Sequence, residues 1–115
     1  MAKKKSESLF TNEIRYDVEL EKDFQERVME MAGYLGWRCY AIPDSRRASL
    51  AGYPDLTCWS TRQKRIIWIE LKREKGRISP AQEMIHEELR SIGLEVYVFR
   101  PSQWTELESV LKGKK

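Results

Sequence analysis

The sequence predicts an α/β domain whose elements follow in the order α, β, β, β, α, β, α. Three observations predict it. Apolar residues Leu20, Phe24, Val28, Met31 and Leu35 recur at spacings of four, four, three and four, the period of a helix, and Gly36 stops the run. Three runs rich in β-branched and aromatic residues then follow within 36 positions, too short and too alternating for helices. Finally, Ser79-Pro80-Ala81-Gln82 opens a second helix, and a further strand-like run comes directly after it.

Taken in order, residues 1–17 show no period and begin with Lys3-Lys4-Lys5, which predicts a flexible basic tail. The first helix spans about Glu19 to Leu35. On a helical wheel Glu21 lies about 60° from Phe24, at the edge of the apolar stripe, with Gln25 one turn on, whereas Glu26 faces water. Trp37–Ile42 reads as the first strand. Pro43 to Ser49 makes a polar, basic loop. Asp55–Ser60 and Arg65–Lys72 read as the second and third strands, joined by a hairpin turn over Thr61–Lys64. In the third, Ile67, Ile69 and Leu71 share one face and Ile66, Trp68, Glu70 and Lys72 the other. The second helix runs from Pro80 to about Ser91 with Ala81, Ile85, Leu89 and Ile92 inward, and Gly93 ends it. Leu94–Phe99 is the fourth strand. A short helix over Gln103–Leu111 leads to a basic C-terminus, so the folded domain is placed at residues 18–111 with a tail at 112–115.

Size and composition restrict the class. At 115 residues this is one domain with a core large enough to dispense with disulfide or zinc staples, and 41% hydrophobic residues argue for a folded globule. No apolar run approaches the ~20 residues of a membrane span, and no apolar segment follows the leading lysines to make a signal peptide. The expected compartment is therefore the cytoplasm, with no membrane partner. Cys39 and Cys58 are too few for a zinc site and read as reduced apolar fillers. There is neither a His/Cys cluster nor a phosphate-binding glycine loop, which argues against a zinc enzyme and a P-loop ATPase. His86, beside Glu87 and Glu88, reads as a solvated polar residue.

Charge placement says more than the net +3. Between Arg38 and Arg77 ten basic residues stand against four acidic ones, the pattern of a polyanion-binding face. Arg46, Arg47, Arg73, Lys75 and Arg77 are the candidates for DNA-backbone contacts. Within the same stretch, Gly52-Tyr53-Pro54-Asp55 leads into one strand and Ile69-Glu70-Leu71-Lys72 closes its neighbour. Two carboxylates and a lysine delivered to one place are what phosphodiester hydrolysis requires: hard oxygen ligands for Mg²⁺ or Mn²⁺, and a cation beside the attacking water. Asp55 and Glu70 are the candidate metal carboxylates. The carbonyl of Leu71 is an additional oxygen at a strand end, and Glu21 is a third carboxylate if the first helix packs over the sheet edge. The blander reading of Glu70 and Lys72 is a surface ion pair, of Glu21 a carboxylate favouring the helix dipole, and of Gln82 a capping residue.

The ordered set Glu21-x-x-x-Gln25, Gly52-x-Pro54-Asp55, Glu70-x-Lys72 and Ser79-Pro80-x-Gln82 resembles the VRR-NUC family of the PD-(D/E)xK nuclease superfamily, over about Leu20 to Arg100. The resemblance implies a restriction-endonuclease-like core, a central four-stranded mixed sheet flanked by helices. It implies Glu21, Asp55 and Glu70 as metal carboxylates, Lys72 as the catalytic lysine and Gln82 as an active-site glutamine. Large members carry this domain beside others and act on flaps and crosslinks, whereas this chain looks like the stand-alone phage or bacterial members, which resemble Holliday junction resolvases. The expectation is a homodimeric, Mg²⁺- or Mn²⁺-dependent endonuclease of branched DNA leaving 5′-phosphate and 3′-hydroxyl ends. Trp59, Trp68 and Trp104 are candidates for the dimer interface or the core. The alternatives are a monomeric flap or single-strand-junction nuclease and, from another class, a non-catalytic DNA-binding module or a protein-interaction domain.

Overall fold

The computed structural model of the protein describes residues 19–43 and 49–113. The basic tail expected over residues 1–17, the loop arginines Arg46 and Arg47, and the last two lysines lie outside the described residues. Helix α1 (Glu21–Tyr34) is followed by strands β1 (Arg38–Ala41), β2 (Leu56–Ser60) and β3 (Arg65–Leu71). Helix α2 (Pro80–Ser91) leads to β4 (Glu95–Phe99), and a 3₁₀ turn opens helix α3 (Trp104–Lys112). The strands form one sheet in the order β1-β2-β3-β4, antiparallel except for the parallel β3–β4 pair. The hairpin between β2 and β3 can be tight, but the parallel pair needs a crossover, and α2 supplies it.

Alternation within the strands decides what each face meets. Leu56, Cys58, Ile67, Ile69, Leu71 and Phe99 point to one face and are 5% exposed or less. Phe24, Val28 and Ala32 of α1 close over them together with Leu107 and Leu111 of α3. Trp37 joins this layer with its indole N–H donating to the Leu111 carbonyl at 2.8 Å. Arg65 ties the same corner together. Its guanidinium donates to both carboxylate oxygens of Glu95, to Gln63 and to the Val110 carbonyl. On the other face, Ile85 and His86 of α2 are buried.

Two apolar expectations fail at element ends. Leu20 is 54% exposed because it is the N-cap of α1 in extended conformation (φ −74°, ψ 151°), ahead of the helical stripe; Ala32 takes an inward place instead. Ile92 is 71% exposed because α2 stops at Ser91 and Ile92 is its C-cap, turned away from the inward face. Cys39 and Cys58 are free thiols, directly opposite each other on β1 and β2 and in contact. Hydrogen bonding between them lowers the Cys39 thiol pKa and, with burial, raises that of Cys58. Of the interface candidates, Trp104 packs at the core edge beside Phe24 and under Arg27. Trp59 lies on the outer sheet face at 37% exposure.

Candidate active site

The site forms where β2 begins and β3 ends. The register that pairs Leu56 with Ile69 brings Asp55 alongside Glu70, and Ile42, just past β1, donates its backbone N–H to the Asp55 carbonyl at 3.3 Å. Gly52 is what lets the loop arrive there. It has φ +92°, and a Cβ on it would meet the Ala81 carbonyl oxygen at 2.4 Å, so the loop carrying Asp55 lies directly against the first turn of α2. Fully buried Pro54 holds the last step before Asp55.

Each side chain has a definite partner set. One oxygen of Asp55, Oδ2, accepts the backbone N–H of Leu71 at 2.9 Å, pinning the carboxylate across the two strands. Glu70 is only 1% exposed. Its Oε2 accepts from Gln82 Nε2 at 3.0 Å and lies 4.0 Å from Lys72 Nζ. Gln82 serves both roles considered for it. Its Oε1 accepts the Ser79 N–H while its own N–H donates to Ser79 Oγ, completing a capping box. Its side-chain NH₂, separate from that backbone N–H, donates to Glu70. Contacts at both ends fix the amide orientation.

His86 corrects the expectation of a solvated residue. It is 2% exposed, with Nε2 3.6 Å from Glu70 Oε1, too far for a hydrogen bond, and neither atom has a hydrogen-bond partner. Burial, with the positive charge of Arg90 next, lowers the His86 pKa, so the ring is neutral at neutral pH. The signal was available in the chain: His86 follows Gln82 by four, which puts both on one helix face. Its acidic neighbours Glu87 and Glu88 lie on other faces and are exposed.

Glu21 opens α1, is itself exposed, and lines the same cleft as Asp55, Glu70, Lys72 and Gln82, a cavity of about 310 Å³. Burial pushes the Glu70 pKa up to about 8; Asp55 adds to this by its charge and by a hydrogen bond, Glu21 adds more weakly, and Lys72 opposes them. Among the described residues, no three His, Cys, Asp or Glu side chains stand close enough to form a ready-made cation cage. The donor set is therefore a carboxylate pair with a third carboxylate on the cleft wall. That set fits a hard divalent cation, since Mg²⁺ keeps several waters and takes only one or two carboxylates. The unpartnered Glu70 Oε1 and the repulsion between neighbouring carboxylates are what such a cation relieves.

Beyond the cleft, Arg73, Lys75 and Arg77 are exposed while Glu74 and Gly76 between them are not, so the loop after β3 turns its basic side chains outward. Arg100, unassigned from sequence, organises that loop by donating to the carbonyls of Arg73 and Gly76 at 2.8 and 2.7 Å. Glu74 in turn caps the 3₁₀ turn through the backbone and hydroxyl of Ser102.

A mixed sheet thus gathers two carboxylates, a lysine and an amide at the end of its inner strands, beside a basic loop, an arrangement that fits a nuclease-type domain. The profile of the VRR-NUC domain family matches residues 5–103, and the chain belongs to that family. A solved structure described as a VRR_NUC domain superposes with a TM-score of 0.64 at 27% sequence identity, covering 76% of this chain and 91% of that one. No curated protein matches the chain. Among the described residues no helix is long and apolar enough to cross a membrane.

Proposed function

We propose that the protein is a divalent-cation-dependent DNA endonuclease that cuts branched DNA as a homodimer, leaving 5′-phosphate and 3′-hydroxyl ends. The observation that carries the hydrolytic assignment is Glu70: a buried carboxylate beside Asp55, with one oxygen bonded to Gln82 and the other unpartnered. Asp55, Glu70 and the Leu71 carbonyl would hold Mg²⁺ or Mn²⁺, with Glu21 reaching the ion directly or through water. A bound cation there supplies charge neutralisation at the scissile phosphate and lowers the pKa of coordinated water.

The chain's own groups have separable tasks. The Leu71 N–H holds Asp55 in place, and Gln82 holds Glu70, so neither carboxylate must reorganise when substrate arrives. Lys72, 12% exposed at the side chain, supplies positive charge where the attacking water and the phosphate meet. Arg73, Lys75 and Arg77, together with Arg46 and Arg47, take the flanking phosphates, which should make binding steeply salt-dependent. Two copies related by a two-fold axis would set two such clefts on one branched duplex.

The test is a cleavage panel of four-way junctions, flaps, single strands and plain duplex, with Mg²⁺ or Mn²⁺ and with EDTA, alongside sedimentation analysis of size. Branched substrates should be cut only with cation present, and Asp55→Asn and Lys72→Ala should abolish cutting while remaining folded. If both variants cut as fast as wild type, the catalytic assignment is wrong. A monomer that cuts flaps alone would replace the homodimeric resolvase reading.

A further inference from the structure

The sheet face that carries the active site does not end at the cleft. Register sets it out in rows. Ile42, Asp55 and Glu70 form the row at the cleft; Tyr40, Thr57 and Trp68 form the next; Arg38, Trp59 and Ile66 form the one beyond. Successive rows are two residues, or about 6.8 Å, apart. Helix α2 packs on the β4 side of this face, and no described element covers the β1–β2 side: Tyr40 is 58%, Ile66 44% and Trp59 37% exposed. Trp68 is anchored by its indole N–H donating to the Tyr53 hydroxyl at 2.7 Å, and Tyr53 itself lines the cleft. Aromatic rings therefore step from the cleft wall outward along the strands.

We propose that this open face is a stacking track for single-stranded DNA, with bases resting on Tyr40 and Trp59 as the strand leaves the cleft. The inference rests on the nuclease reading and names the form of the strand on one side of the cut. Three features select this occupant. The track is continuous with the row that holds Asp55 and Glu70, so a strand in the cleft reaches it without turning. Its charge is complementary: exposed Arg38 lies in the far row, and exposed Arg62 and Lys64 lie in the hairpin at its end. Its spacing is about twice the ~3.4 Å rise per nucleotide of a duplex strand, so stacked duplex does not match the rows and an extended single strand does. Stacking on aromatic rings tolerates any sequence, because every base has a π-face.

The experiment measures binding of fluorescent oligonucleotides to the full chain in EDTA, so that nothing is cut. The probes are an oligothymidylate, a duplex bearing a single-stranded arm, and the blunt duplex. Tyr40→Ala and Trp59→Ala should each weaken binding of the oligothymidylate and the armed duplex about tenfold or more, with blunt duplex changed less than about twofold. Tyr40→Phe and Trp59→Phe keep a ring and should restore most of the affinity, which a fold defect in the alanine variants would not explain. Equal losses on blunt and armed duplex, or no loss on either, overturn the proposal. So does conversion of a wild-type dimer to monomer by Trp59→Ala in sedimentation, which assigns the face to a second copy of the chain. The two readings fail separately. Ring-dependent arm binding by a protein that cuts no DNA would refute the nuclease reading and keep the track; cutting without ring-dependent arm binding would do the reverse.

Discussion

Replacing Gly52 by alanine tests how the loop and helix are locked together around the site. Two costs act at once. At φ +92° an L side chain is strained by about 1–2 kcal/mol. The new Cβ would also stand 2.4 Å from the Ala81 oxygen, 2.6 Å from its carbonyl carbon and 2.9 Å from the Gln82 nitrogen. All three are backbone atoms in the capped first turn of α2, so the loop or the helix start must move by roughly 1 Å to reach ordinary contact distance. Overpacking of this kind costs about 1–3 kcal/mol, for a total of roughly 2–5 kcal/mol. For a domain of this size that lowers the melting temperature by on the order of 8–20 °C. Gly93 supplies the control. It has φ +90° with nothing within 4 Å of a built Cβ, so Gly93→Ala bears the strain alone. The movement also has a chemical reading, because Gln82 bonds Glu70 from the very turn that must yield. A displacement near 1 Å can cost on the order of 100-fold in rate. Thermal unfolding by circular dichroism and cleavage at a temperature where all variants are folded measure the two effects. If Gly52→Ala is no less stable than Gly93→Ala, the close approach to Ala81 does not exist and the steric argument fails.

Three further predictions concern the site and the core. Because the Glu70 pKa is raised from 4.5 to about 8, the folded metal-free protein holds a proton that the unfolded chain has released between those values. Stability in EDTA should therefore fall as pH rises from about 4.5 to about 8 and level off above, by on the order of a few kcal/mol; Glu70→Gln should flatten the urea-midpoint profile. His86→Ala removes the polar neighbour of Glu70 Oε1 and should weaken Mn²⁺ binding about 10- to 100-fold by titration calorimetry, with His86→Asn recovering part of it. Equal affinities in wild type and His86→Ala would separate the histidine from the cation site. Arg65→Lys loses the bidentate contact with Glu95 and the contacts to Gln63 and Val110, and should cost about 1–3 kcal/mol in urea unfolding despite keeping the charge.

The sequence by itself determined the element order and which strand residues share a face, because both follow from local periods that the chain carries regardless of its partners. The Ser79–Gln82 cap was readable for the same reason: its two hydrogen bonds close within four residues. The motif around Asp55, Glu70 and Lys72 was readable as chemistry, but spacing alone favoured a surface ion pair, and only the ordered set with Glu21 and Gln82 reversed that. Tertiary structure decided what happens between elements. Burial of Glu70 depends on α2 crossing the sheet face, and the same crossing buries His86, whose charged sequence neighbours pointed toward solvent. Gln82 became a partner of Glu70 because α2 starts beside the end of β3, and Gly52 lets the loop carrying Asp55 lie against that same helix start. The open rows of Tyr40 and Trp59 follow from where α2 stops covering the sheet. Local rules place a residue on a face; only packing of one element on another determines whether that face is core, cleft or surface.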